Sequence, residues 1–336
     1  MKEKYKKFEF KEKQSVLKNK KWNILEKIKS KISNSKKQKK YLIIRQRKDD
    51  YFLKYIKDKN LYNMYQEELN WNDILVWYQS IGTNKVNDDN CIFSDWKNKI
   101  IESDICILFD TGYEKKIGEY IKEKNKNIKV VIFFWNSITE NNEWILSDEN
   151  IDEFYTFDKE NVKKYNLKYN HQFYINDISL NNTNIENDIV FLGNNKGRKE
   201  FIYNLKEDFD NLGLKSDIII IDNQKDYIDY STYLDMLFKS KCVLEILIDT
   251  QHGLSLRTME SIFFNKKLIT NNLDIVNYDF YNKNNIFIIG KDDINDLPMF
   301  LNSDYHNIDK NILKKYTYED WLNNFGIKYQ GGTNEE

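Results

Sequence analysis

Short apolar runs alternate with amphipathic helical patterns twice along this chain. That rhythm limits the fold more than any single residue does. From Tyr41 the runs YLIIRQ (41–46), DICILFD (104–110), KVVIFFWN (129–136) and DEFYTFD (152–158) read as strands. The stretch 61–78 is helical or irregular, and YEKKIGEYIKEKNK (113–126) has a helical pattern. A polar, Asn-rich segment, 168–187, interrupts the rhythm, and it then restarts. DIVFLG (188–193), DIIIID (217–222), CVLEILID (242–249), KKLIT (266–270) and NIFIIG (285–290) read as strands. Helical patterns at 198–213, closed by Gly213, and at 230–240 separate the first three. YTYEDWLNNFG (316–326) reads as a closing helix with Trp321 and Phe325 on its apolar face. Strands without polar alternation, joined through helices, belong to parallel sheets covered on both faces. The expected fold is α/β, with two Rossmann-like, doubly wound parallel-sheet domains facing a cleft. The expected divisions are an extension at 1–40, a first domain at 41–175, a linker at 176–187, a second domain at 188–315 and the closing helix at 316–330.

A chain of 336 residues is long for one core, and 40% hydrophobic content supplies two. Cys91, Cys106 and Cys242 are scattered, two of them in or beside apolar runs, as buried free thiols of a reducing cytoplasm would be. The N-terminus has no signal-type apolar region, and no run reaches the ~20 apolar residues of a spanning helix. His171, His252 and His306 lack zinc-type spacing, and no Asp-x-Asp stands at an obvious strand end, so no metal is expected. A Gly-x-Ser-x-Gly elbow and a Gly-x-Gly-x-x-Gly fingerprint are both missing, which argues against a serine hydrolase and a nicotinamide enzyme.

Net charge is -1, yet residues 1–40 hold sixteen Lys and four Glu. On a helix Trp22, Leu25, Ile28 and Ile32 share one face, ringed by Lys27, Lys29 and Lys31. Such a helix suits an anionic membrane surface, where each basic residue contributes about 1 kcal/mol. A solvated tail is the other reading. Nucleic acid is not an expected partner, because the basic character is Lys alone, without Arg.

Two strand-to-helix junctions carry the chemistry. In DIVFLGNNKGRKE (188–200), Gly193 ends a strand and Lys196 and Arg198 precede a helix. Glycine permits close approach of a phosphate, and the helix N-terminus and basic side chains attract it. In DTQHGLSLRTMES (249–261), Gln251, His252, Gly253, Ser255, Arg257, Thr258 and Glu260 crowd one turn and the first turns of a helix. Ser255 caps the helix or donates to a phosphate. Arg257 and Thr258 stand where a diphosphate would sit. Glu260 accepts from ribose hydroxyls or complements the helix dipole. His252 contacts sugar or phosphate, or is a turn residue. Asp110, ending DICILFD, is the candidate general base or a turn cap. Asn136, ending the next strand, is placed to orient a ligand.

FDKENVKKYNLKYNHQFY (157–174), FLGNNKGR (191–198), GLSLRTMESIFFNKKLITNN (253–272) and YTYEDW (316–321) resemble the glycosyltransferases of bacterial lipopolysaccharide and capsular-polysaccharide biosynthesis. The resemblance spans roughly 41–326 and implies the GT-B fold, two Rossmann-like domains with a C-terminal helix. It implies a nucleoside-diphosphate-sugar donor, a lipid-linked glycan acceptor, and no cofactor or metal. Glu260 would then meet the ribose, with Ser255, Arg257 and Thr258 near the diphosphate. Gly193, Lys196 and Arg198 would face the same phosphates from the other loop. The paired glutamates of many retaining members are not present: Asp249 or Gln251 precedes the glycine turn. The stereochemical outcome therefore stays open. A protein glycosyltransferase acting on adhesins and a sugar-nucleotide epimerase are alternatives on the same fold. The implied place is the cytoplasm, peripheral at the inner face of the membrane. Deleting residues 1–40 is expected to abolish binding to anionic liposomes while leaving donor binding intact; liposome binding that survives the deletion would sink the membrane reading.

Overall fold

The alternation resolves into two all-parallel sheets. The structure, a computed structural model, describes residues 38–46, 51–81, 86, 92–175, 178, 184–223 and 227–329. The Lys-rich helix expected near Trp22 lies outside the described residues, as does Cys91. The residues from Lys40 onward form one compact unit that holds both sheets.

The first sheet contains β1 (Tyr41–Arg45), β2 (Leu61–Asn63), β3 (Ile105–Phe109), β4 (Lys129–Phe134), β5 (Glu153–Thr156) and β6 (Lys168–Tyr169). Its spatial order is β2-β1-β3-β4-β5-β6. The second contains β7 (Asn187–Asn194), β8 (Ser216–Ile221), β9 (Ser240–Glu245), β10 (Lys267–Thr270) and β11 (Ile286–Ile288), in the order β11-β10-β9-β7-β8. Read from the β2 and β8 edges, both sheets begin second, first, third strand. The order therefore reverses between β1 and β3, and again between β7 and β9. At such a switch point the connections leave in opposite directions and open a crevice beyond the carboxyl ends of the strands.

The helices are α1 (Trp71–Ile81), α2 (Lys115–Lys124), α3 (Lys159–Tyr165), α4 (Lys199–Asn211), α5 (Tyr230–Phe238), α6 (Leu256–Phe263), α7 (Leu297–Asn302), α8 (Lys310–Lys314) and α9 (Tyr318–Asn323). Two strands, β2 and β6, are too short to leave an apolar run in the sequence. Lys168–Tyr169, expected in the polar stretch before the second domain, pairs with β5 instead. The strand expected at 242–249 ends at Glu245, because the chain turns away there towards the junction at Ser255.

The cores follow from strand alternation. Leu42, Ile44, Cys106, Leu108, Val130 and Ile132 pack into one cluster beneath the first sheet. Ile43, Ile107, Phe109, Val131 and Phe133, on the opposite face, join Leu192, Val243, Leu268 and Ile288 of the second sheet in a larger one. One continuous apolar cluster thus links the two sheets. The C-terminal segment completes it. Trp321, fully buried on α9, lies parallel to Phe109 at 5.9 Å and packs on Phe173 at 4.7 Å and Phe133 at 5.3 Å. Backbone bonds from Tyr174 N–H to Tyr316 and from Tyr318 N–H to Tyr174 hold this segment against the first sheet's exit strand. Polar pins add to it: the Tyr318 and Tyr41 hydroxyls both donate to Asp58, and Asn170 Nδ2 donates to Trp321 O.

Truncating Trp321 to Ala is expected to lower the free energy of unfolding by about 3–5 kcal/mol, read from urea denaturation. A loss below about 1 kcal/mol would show that α9 does not hold the unit together.

Candidate functional site

The site begins where β7 runs out. Asn195 to Arg198 form a tight turn, with Arg198 N–H donating to Asn195 O at 2.9 Å. Both central residues, Lys196 (φ 45°) and Gly197 (φ 80°), are left-handed. Gly197 adopts this freely, whereas a left-handed lysine carries local strain of roughly 1 kcal/mol or more. Asn195 Nδ2 donates to Asp222 beyond β8, and Lys199 pairs with the same carboxylate. The turn is thereby tied to the neighbouring strand, and α4 starts directly behind it.

Three cations converge on this edge. Arg198 donates through Nη1 to Ile246 O, beyond β9, and through Nε and Nη2 to Asn194 O. It bridges the β7/β9 switch point. Arg257, from the first turn of α6, donates to Leu192 O. Both guanidinium groups lie over the Phe191 ring, at 5.2 and 4.9 Å. Gly193 makes room for them: a Cβ there would fall 2.4 Å from Arg257 Nη2 and 3.0 Å from Arg198 Nη2. Among the described residues no carboxylate forms an ion pair with Lys196, Arg198 or Arg257, and Arg257 Nε is buried with no hydrogen-bond partner. Burial first, then repulsion by Arg198 and Arg257, lowers the Lys196 pKa; burial and Arg257 bring Arg198 down to about 10, with Glu245 opposing. Arg198 therefore stays charged at neutral pH.

The α6 junction is organised by a residue that the motif reading passed over. Glu245, last in β9, is buried, and three hydroxyls donate to it. Ser255 and Thr258 (2.6 Å) reach Oε1, and Thr270, ending β10, reaches Oε2 at 2.5 Å. Ser255 also caps α6 by accepting from Arg257 N–H. Of the two readings of Ser255, this arrangement shows the cap, and the Ser255 and Thr258 hydroxyls both face Glu245.

Glu260, one turn further along α6, is buried too. Its Oε1 accepts from Tyr230 at 2.8 Å and its Oε2 from Tyr233 at 2.7 Å. Tyr174, from the strand exit of the first sheet, meets Tyr230 hydroxyl to hydroxyl at 2.5 Å. Burial raises the Glu260 pKa to about 7, opposed by the Tyr233 bond and by Arg257. In this arrangement its carboxylate is occupied by tyrosines.

Gly193, Lys196, Arg198, Arg257 and Glu260 line a single cavity of about 360 Å³. Tyr51 and Trp135 of the first sheet's side close it, and Tyr227 and Ile228 before α5 form a further wall. These aromatic walls come from segments without a polar motif, so no sequence signal singles them out. Glu245 did leave one, a lone carboxylate inside the apolar run CVLEILI. Gln251, His252 and Gly253 do not line the cavity. Gln251 N–H closes a turn onto Ile248 O, and His252 is exposed near Glu160. Gly253 (φ 93°) packs on Phe157, where a Cβ would lie 3.2 Å from the Phe157 carbonyl oxygen.

Asp110 lies outside the cavity, one strand end away. Its carboxylate accepts from the backbone N–H of Trp135 at 2.7 Å and from Asn142 at 3.3 Å. Burial raises its pKa to about 6, against those hydrogen bonds. Asn136 reaches Thr111 at 3.4 Å. No cluster of three or more His, Cys, Asp or Glu suited to a metal occurs among the described residues. No described helix is long and apolar enough to cross a membrane.

No protein-family model and no curated protein matches the chain. Among solved structures, a conserved domain protein from Vibrio cholerae O1 biovar eltor str. N16961 is similar at 13% identity. The match covers 72% of this chain and 76% of that one, with a TM-score of 0.20, too low to bear on the site.

The Asp110 shift has a sign that can be checked. Its folded pKa, about 6, stands above the ordinary 3.8, so stability is fully present below about pH 4 and falls as pH rises through about 6. The loss is of order 3 kcal/mol. In Asp110→Asn, this part of the pH dependence of urea stability is expected to vanish; an unchanged profile would show that Asp110 ionises without penalty.

Proposed function

We propose that this protein is a GT-B glycosyltransferase that uses a nucleoside-diphosphate sugar. One observation carries the reading: Lys196, Arg198 and Arg257 converge in a cavity at a sheet switch point, and among the described residues no carboxylate forms an ion pair with any of them. Three like charges held side by side, two of them half-buried, are costly to assemble and favour a multivalent anion. The buried Arg257 Nε adds an unmet donor that a phosphate oxygen would satisfy. Phosphates commonly bind where a turn leads into a helix N-terminus, as at Asn195–Lys199.

In the proposed reaction the bond between the sugar's anomeric carbon and the diphosphate oxygen breaks, and the acceptor hydroxyl oxygen bonds to that carbon. The departing diphosphate gains negative charge, and fixed cations lower the barrier by stabilising it. The acceptor hydroxyl proton goes to a base. Asp110 is the candidate: it belongs to the opposite sheet, has a pKa near 6, and holds the backbone of Trp135, a wall of the cavity. A lipid-linked glycan as acceptor, surface-polysaccharide assembly as the setting and attachment at the inner membrane face through residues 1–40 rest on the family resemblance and the Lys-rich extension.

Calorimetric titration of the full chain with uridine, guanosine and adenosine diphosphates and their common sugar forms tests the reading. At least one is expected to bind and to raise the thermal midpoint. Arg257→Ala is expected to weaken that binding about 10- to 100-fold, the worth of a charge-assisted hydrogen bond. No binding by any of them would overturn the proposal, and isomerisation of the donor without acceptor would move it to an epimerase.

A further inference from the structure

We infer that Tyr233 is a latch on Glu260, and that a ligand hydroxyl entering the cavity takes its place. The inference rests on the nucleotide reading above. Glu260 faces the same cavity as the three cations, yet neither of its oxygens is free. The two tyrosines that hold it are not equivalent. Both are buried, but Tyr230 does not line the cavity and is held from behind by the Tyr174 hydroxyl. It keeps Oε1 whatever enters. Tyr233 lines the cavity, and its hydroxyl covers Oε2, the oxygen on that side.

Where Glu260 is ionised, its buried carboxylate oxygen gives up a hydroxyl donor only for another donor, because an unmet charge is costly to bury. A phosphate seated among the three cations is driven towards its ionised form, whose oxygens only accept. The hydroxyls of a ribose donate, and an anion seated on Lys196, Arg198 and Arg257 would carry its ribose within the same cavity. The exchange also reaches the first sheet's side. The Tyr233 ring lies against Tyr51, centroids 6.4 Å apart and planes 28° apart, and Tyr51 is another wall of the cavity. Tyr51 is itself held in a left-handed conformation (φ 39°) and packs on Tyr230 at 4.2 Å. Movement of Tyr233 therefore shifts the surface that closes the cavity from the opposite sheet. Tyr233 is a positioning residue: it sets when Glu260 becomes available.

The test compares Tyr233→Phe with wild type, using the best-binding nucleoside diphosphate and inorganic pyrophosphate in parallel. The variant loses the competing hydroxyl, so the nucleotide is expected to bind about tenfold more tightly while pyrophosphate binding is unchanged. Equal gains for both probes would overturn the latch, since the effect would then be a wider cavity. No gain for the nucleotide would overturn it as well. A wild type that binds pyrophosphate but no nucleotide would sink the donor reading itself, a distinguishable failure. Should the variant not fold, the wild-type protein is titrated with the nucleotide and its 2′,3′-dideoxy form. The ribose form is expected to bind about tenfold better, and equal affinity would overturn the exchange.

Discussion

The arrangement of the second sheet's site depends on one buried carboxylate. Glu245 sits at the end of β9, where its charge would cost several kcal/mol if left alone. Hydroxyls from Ser255, Thr258 and Thr270 offset that cost, since bonds to a charged acceptor are among the strongest a side chain makes. They also join three elements at one point: the end of β9, the start of α6 and the end of β10. Once α6 is fixed there, the direction of every residue in its first turns is fixed as well. Arg257 then points across β9 to β7, and Glu260 points back towards α5.

This pinning explains how an unfavourable cluster of cations persists. Lys196, Arg198 and Arg257 repel one another; backbone carbonyls, the Phe191 face and the more distant carboxylates Glu245 and Glu260 offset part of that repulsion. Strand β7 supplies the platform because Gly193 has no side chain to push the guanidinium groups apart. The repulsion is held in a frame of parallel strands, so an anion of the kind proposed would meet charges already in position. Preorganisation of this kind is what makes electrostatic stabilisation effective away from bulk water.

The other wall depends on the apolar contact between the sheets. Trp321, Phe109, Phe133 and Phe173 bring the C-terminal segment back onto the first sheet. Tyr174 follows at the exit from that sheet and reaches Tyr230 and, through it, Glu260. A continuous line of packed rings therefore runs from the hydrophobic contact to a titratable group in the cavity.

Much of this was legible in the sequence. Apolar runs without alternation are what a parallel strand covered on both faces requires, so both sheets were readable, except for β2 and β6, which are too short to leave a period. The turn at Gly193–Arg198 was readable because glycine and basic residues before a helix have a local meaning. Arg257 and Glu260 were readable as residues of a helix start. Their partners were not, because side-chain pairing across elements leaves no trace in spacing along the chain. The motif has one surface, and its polar residues divide between two: Ser255 and Thr258 face Glu245, while Arg257 faces the cavity. Only the tertiary structure decided that, since a helix turns each successive residue by 100°, and its neighbours determine which direction leads inwards. The tyrosine pair on Glu260, the aromatic walls at Tyr51 and Trp135, and the burial of Asp110 arise the same way. The sequence alone determined the order of strands, turns and charges; which charges stand unpaired, and facing what, was decided by folding, because burial and partnership are properties of contacts between distant segments.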